Sequence, residues 1–247
     1  MTRIFFLFIL SCLFTPAFSQ VKFISSGHIE FEKRMNQYSF YDKEDEESIW
    51  IQEQKKIFPK MVSDIYSLDF TENKTVYKLA KENTDNKYVW GRKPSENDLN
   101  IHDLKNNTVS IQRDVFEQTY LVKDSMQKYE WKISSETRTI AGFECRKAVT
   151  KICDSVYIVA FYTEEIAVSS GPESFGGLPG MILGLAVPRL QITWFATKVD
   201  LKEPSEVMLN PKQKGKAVTW GAYEKDLNKA MKDWGKYGAK VTWTFLL

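Results

Sequence analysis

Histidine is nearly missing from this chain of 247 residues, which holds only His28 and His102, and cysteine occurs just three times. A serine–histidine–acid or cysteine–histidine site would have to use one of those two histidines, and neither stands in a recognisable catalytic context. Charge of one sign is also lacking. The 34 basic and 32 acidic residues leave a net charge of +2, without the basic excess that nucleic-acid binding needs. Long hydrophobic runs are absent apart from Ile4–Phe14, which falls short of the roughly 18–20 residues needed to span a bilayer. There is no internal repeat and no low-complexity tract.

The one apolar run has the grammar of an export signal. Arg3 supplies a positive start, Ile4–Phe14 an apolar centre, and Pro16-Ala17-Phe18-Ser19 small residues for cleavage before Gln20. Residues 1–19 are therefore read as a signal peptide and residues 20–247 as a single β-rich domain in the periplasm or medium, with no transmembrane segment. A lipoprotein reading through Cys12 is weaker, because Leu10 is bulky and the apolar centre would be short. Cys145 and Cys153 remain in an oxidising compartment. The segment between them, 146–152, contains no turn residue, so it is expected to run extended. That keeps the two Cα atoms beyond the roughly 7 Å a bridge tolerates. Cys145 is expected to be a small buried residue.

Period-two patterns dominate. His28-Ile29-Glu30-Phe31-Glu32 alternates as a half-buried strand does, and Ile65–Phe70 with Thr75–Leu79 flanks a turn at Glu72-Asn73-Lys74. A second hairpin turns at Asn106-Asn107 between Asn100–Leu104 and Thr108–Arg113. Strands are predicted at Thr119–Lys123, Tyr129–Ile133, Thr139–Thr150 and Val156–Thr163, and at Met181–Val187 and Gln191–Val199 around Pro188-Arg189. A helix is predicted over Asp45–Lys56, with Ile49, Trp50 and Ile57 on one side. A stronger one carries Trp220, Tyr223, Leu227, Met231 and Trp234 at three- and four-residue spacing and ends at Gly235. Lys240–Phe245 reads as a final strand. The fold class expected is mostly β: an antiparallel curved sheet or incomplete barrel with one or two packing helices, similar to periplasmic lipoprotein-carrier folds.

Ser170–Leu185 packs five glycines and two prolines against an apolar run. Leu178-Pro179-Gly180-Met181 fits a type II turn. The block is not a phosphate loop, because Met181-Ile182 follow the last of its clustered glycines where Lys and Ser or Thr would be required. Pro172-Glu173-Ser174-Phe175-Gly176 is not a nucleophile elbow, since proline takes the first glycine position. An architectural corner is the favoured reading. His28, Glu30 and Glu32 share one strand face and could hold a metal loosely, but a polar solvent face is preferred. No catalytic, cofactor or metal residue is assigned.

Gly177-Leu178-Pro179-Gly180-Met181-Ile182 departs at one position from the Gly-Leu-Pro-Gly-Leu-Ile signature, and the chain resembles the GLPGLI family. The pattern Gly142-Phe143-Glu144-Cys145, then Phe161-Tyr162-Thr163, then Gly171-Pro172 extends the likeness upstream. The resemblance implies an exported protein of a Gram-negative bacterium. It carries over Gly142, Cys145, Gly171, Pro172, Gly177, Leu178, Pro179 and Gly180 as motif positions only, with a structural or docking role. The leading expectation is a non-enzymatic envelope protein without cofactor that binds a lipid or other apolar ligand, or an outer-membrane protein partner. The alternative is an envelope hydrolase with its site at the Gly171–Gly180 loop, where Glu173, Ser174 or Glu164 would react. A structural subunit of an outer-membrane assembly is the third reading.

Overall fold

A computed structural model describes residues 23–41, 44, 47–89, 93–153 and 155–247, so the signal-peptide reading of residues 1–19 and Cys12 falls outside the described residues. Among these residues, twelve strands form one sheet: β1 Gly27–Asn36, β2 Met61–Phe70, β3 Lys74–Lys81, β4 Leu99–Asp103, β5 Thr108–Val115, β6 Gln118–Ser125, β7 Lys132–Ile140, β8 Phe143–Ile152, β9 Val156–Thr163, β10 Met181–Val187, β11 Ile192–Asp200 and β12 Lys216–Val218. Among the described residues, four α-helices accompany them: α1 Ile49–Ile57, α2 Glu206–Leu209, α3 Trp220–Ala230 and α4 Lys236–Leu246. The protein is mostly β, with a sheet that does not close into a barrel.

The strand order is β12-β6-β5-β4-β3-β2-β1-β11-β10-β9-β8-β7. Two antiparallel meanders, β1–β6 and β7–β11, meet where β1 pairs with β11, and only β12 runs parallel to its neighbour β6. The link from β6, next to one edge, to β7 at the other therefore crosses nearly the whole sheet. It packs on the glycine-rich loop: the Tyr129 ring lies 5.1 Å from Phe175, and the Trp131 indole donates to the Gly176 carbonyl at 2.9 Å. The sheet is strongly curved. β5 and β1 are four strand spacings apart, about 19 Å in a flat sheet, yet Arg113 and Lys33 both bond one carboxylate. Side chains standing perpendicular to a flat sheet would not converge in this way.

Alternation fixes the faces. Ile29 and Phe31 of β1, Leu68 of β2, Ile111 of β5 and Trp194 of β11 point inward and are almost wholly buried, which is where the apolar free energy of the fold resides. On the outside, α2 places Leu209 on Val76, Leu99 and Ile101. On the inner face, α3 is capped by the Thr219 hydroxyl and buries Tyr223 and Leu227 against Val109, Ile111 and Val122, in the same phase of β5 as Arg113. Tyr223, Leu227 and Met231 are buried as their spacing predicts, whereas Trp234 stays partly exposed on a short 3-10 turn ahead of Gly235.

Several elements differ from expectation. Lys240–Phe245 is not a strand but lies in α4, because Val241, Thr244 and Phe245 pack one helical face against the interior. Thr139–Thr150 is two strands, since Ala141 and Gly142 both adopt positive φ (48° and 89°) and turn the chain between β7 and β8. Tyr129–Ile133 is mostly the link before β7, where Tyr129 and Trp131 are held by the loop rather than by a neighbouring strand. In α1 the side bearing Ile49, Trp50 and Ile57 is largely exposed, and the buried Ile51 packs against Tyr41 and Val89. No disulfide joins Cys145 and Cys153; Cys145 is buried in β8 and its thiol is pushed up to about 11, chiefly by burial.

Candidate active site

The glycine-rich corner turns inward between β9 and β10. The expected type II turn is not formed. The Gly180 N–H bonds back to the Leu178 carbonyl at 2.8 Å, an inverse γ-turn pattern, and the Met181 N–H goes instead to the Ile166 carbonyl at 3.1 Å. Gly180 has φ 147°, and a Cβ there would sit 2.0 Å from the Thr163 carbonyl oxygen, so the backbone approach itself requires glycine. Gly171 is held by the same logic, its missing Cβ leaving room for Ile182. Pro172 accepts a long bond from the Phe175 N–H at 3.4 Å, Leu178 is buried, and Gly177 takes φ 83°. These motif positions shape a loop whose tip is Glu173, itself at φ 57°.

Glu173 is almost wholly buried and accepts three charge-assisted or buried hydrogen bonds. Lys33 Nζ donates to Oε1 at 2.9 Å, Arg113 Nη2 to Oε2 at 2.6 Å, and Trp194 Nε1 to Oε1 at 3.2 Å. Burial by itself would raise the pKa of this carboxyl; the lysine and arginine overturn that and hold it at about 2. Lys33 is further enclosed by the rings of Trp194 and Tyr66, at 4.9 and 5.2 Å. Arg113 is likewise stabilised as a cation: burial works against it most strongly, and Glu173 together with Asp98, Tyr223 and Tyr66 outweighs burial.

This cluster forms the floor of a cavity of about 120 Å³. Asp64, Tyr66, Asp98 and Asp114 add to its walls, and α4 closes one side with Val241, Thr244, Phe245 and Leu247. Asp98 takes the Asp114 N–H at 3.0 Å, and its carboxyl is held above the usual range, chiefly by burial and against the pull of Arg113. Asp114 behaves oppositely. Burial opposes its ionisation, but the Ser95 and Thr119 hydroxyls and the Asn97 amide, at 2.6–2.8 Å, keep it below the usual range. Two neighbouring carboxyls are thus pushed apart in proton affinity, the condition for one to give protons while the other stays anionic.

Of the three reacting groups expected for a hydrolase, only Glu173 belongs to this cavity. Ser174 is buried behind it, donating to the Leu247 carbonyl at 2.8 Å and lying 3.3 Å from the Tyr129 hydroxyl. Glu164 is at the surface with Arg146 and Tyr162. The trio His28, Glu30 and Glu32 is not brought together on a ligand, because each side chain has its own partner: Asp69, Lys198 and Arg34. His102 does meet a serine, Ser170, at 3.3 Å, and Ser170 meets Thr75 at 2.9 Å. All three are buried, and burial lowers the imidazole to about 4, so this pair ties the loop to the sheet and is not a nucleophile–base pair.

Lys33, Arg113, Asp64 and Asp98 were absent from the sequence reading. For three of them a signal existed. Lys33 follows Ile29 and Phe31 in the buried phase of β1, Asp64 precedes Tyr66 and Leu68 in β2, and Arg113 follows Val109 and Ile111 in β5. A charge in the apolar phase of three different strands marks an inner face that is not purely a core.

Two solved structures of PNGF-II, from C2 and P21 crystals, share this fold at TM-scores of 0.52 and 0.51 with 20% and 21% identity. They match 81% and 82% of this chain but only 32% and 33% of their own, so the chain spans about a third of their length. No curated protein matches it. A family model described as the N-terminal domain of N-glycanase peptide matches residues 51–224. That match overturns the expectation of a non-enzymatic protein, and the buried Lys33–Glu173–Arg113 cluster gives the cavity a charged rather than a purely apolar floor. With residues 51–224 covering well over half of its length, the chain belongs to the family of N-glycanase N-terminal domains.

Proposed function

We propose that this chain is an exported hydrolase of the N-glycanase class, or the substrate-handling domain of one, with its site in the Glu173 cavity. The single observation that carries the reading is the pairing of a fixed, buried Lys33–Glu173–Arg113 cluster with a carboxyl, Asp98, of raised proton affinity in the same cavity. The family match supplies the substrate class, and the Gly171–Gly180 corner supplies the element that carries Glu173 inward.

Release of an N-glycan needs water to add to the amide carbon that joins asparagine to the sugar. The C–N bond then breaks, and the departing nitrogen takes a proton. Asp98 is suited to give that proton and to recover one from the attacking water. Glu173 is not, because both its oxygens are occupied and it stays ionised. It is a positioning residue, aiming Arg113 and Lys33 so that their positive field can favour the negative charge developing on the amide oxygen. The reading of residues 1–19 as a leader and the GLPGLI resemblance support a location in the periplasm or the medium.

The test is to incubate the exported, processed protein with an N-glycosylated peptide and follow products by mass spectrometry. The expected result is a free glycan and a peptide in which asparagine has become aspartate. Asp98→Asn should lower the rate by about a hundredfold or more while the protein stays folded. Its activity should also fall as pH rises through the raised Asp98 pKa. An Asp98→Asn variant as active as the parent would sink the assignment.

A further inference from the structure

At the mouth of the same cavity, the β5–β6 hairpin closes through a two-residue loop, Phe116-Glu117, between the paired Val115 and Gln118. Loops of this length favour asparagine or glycine, because the first position needs positive φ. Phe116 occupies it with φ 54°, a region that bulky residues enter only at a cost. Packing does not account for the choice: the side chain is 56% exposed. Its ring lies 5.7 Å from Trp234, tilted by 42°, and 6.3 Å from Phe245. Trp234 is itself 37% exposed, on a 3-10 turn ended by Gly235 at φ 55°. Both rings line the cavity that holds Asp98 and Asp114.

Strained backbone around exposed aromatics, beside carboxylates, is poor design for stability and good design for binding. A sugar ring has one face rich in C–H groups, which covers an aromatic ring, and an equatorial belt of hydroxyls, which donate to carboxylates. We infer that Phe116 and Trp234 form an aromatic platform that binds a sugar ring of the substrate at the cavity mouth. This rests on the glycan reading above and adds to it the element that holds the glycan. The carboxylate at hand is Asp114, so the ring edge meets an acceptor while its face lies on the indole and the phenyl.

The experiment is titration of the full processed chain with N,N′-diacetylchitobiose, the reducing-end disaccharide of N-glycans, read by tryptophan fluorescence and by calorimetry. Phe116→Asn suits the left-handed turn and removes the ring; Phe116→Trp keeps a ring. Loss of one stacking face should weaken binding by about tenfold in Phe116→Asn, with an unchanged or higher melting temperature, and Phe116→Trp should retain binding. Equal affinity in Phe116→Asn and the parent overturns the platform. So does a fall in melting temperature in Phe116→Asn together with failure of Phe116→Trp to bind, which would assign the ring to packing. A parent protein that binds neither the disaccharide nor an N-glycosylated peptide overturns both the platform and the hydrolase reading. One that binds the disaccharide through Phe116 but releases no glycan sinks only the hydrolase reading.

Discussion

At the floor of the cavity, Glu173 is enclosed by a lysine, an arginine and an indole N–H, and every group in the cluster is anchored on a paired strand or on the corner that glycine makes possible. At its mouth, Phe116 and Trp234 are half in water and held by turns in the left-handed region or next to it. The floor spends burial on charges and recovers it through mutual attraction, which makes it stiff and intolerant of single losses. The mouth recovers little in the free protein, so its strain is relieved or justified only by what binds there. Removing a floor residue should therefore show first in stability, and removing a mouth residue in affinity.

The largest effect is expected from Glu173→Ala. It leaves Arg113 and Lys33 buried with no anion, and should cost about 3–5 kcal/mol, read as a fall in the denaturation midpoint. If the loss is under about 1 kcal/mol, the floor is solvated and the contrast with the mouth fails.

Acid should act on the same group. The folded pKa of Glu173, about 2, lies below its ordinary value of 4.5, so its contribution is complete above the unfolded value and is lost as pH falls from there towards 2. The loss should approach roughly 3 kcal/mol, and Glu173→Gln should flatten this part of the stability profile. Denaturation curves at a series of acidic pH values for both proteins would separate Glu173 from the other carboxylates.

Gly180→Ala comes next. Its Cβ would meet the Thr163 carbonyl, forcing the corner to shift at a cost of about 2–3 kcal/mol. Because the corner carries Glu173, glycan release should fall in parallel, and a corner variant of native stability with no activity would break the link between them. Smallest is the effect of Phe116→Asn on stability, a change of about 1 kcal/mol or less, with a positive sign. Set against Glu173→Ala, it gives the sharpest form of the comparison, since the two variants should order oppositely in stability and in retained disaccharide binding.

Much of the fold was legible in the sequence. β2 with β3, and β4 with β5, follow from short alternating runs and from Asn-containing turns, and Tyr223, Leu227 and Met231 follow from helical spacing. The hairpin at Ala141-Gly142 was hidden because it interrupts a long β-prone run with only one glycine. Val241-Thr242-Trp243-Thr244-Phe245 alternates branched and aromatic residues as a strand does. Val241, Thr244 and Phe245, partly buried along the cavity at helical spacing, override that propensity. Of the candidate site, Glu173 was visible as a carboxylate in a glycine-rich loop. Its partners were visible only as charges in the wrong phase of their strands.

By itself, then, the sequence determined a β-rich chain of short alternating strands and the helical face of Tyr223, Leu227 and Met231. These depend on neighbouring residues, through periodicity and turn chemistry. The tertiary structure alone decided that Arg113 and Lys33, 60 and 140 residues away along the chain, share one carboxylate with Glu173. It also decided that Phe116 and Trp234 meet above them. Those pairings need the sheet to curve until its inner face encloses the loop. Curvature is a property of how twelve strands twist and pack together, and no short segment encodes it.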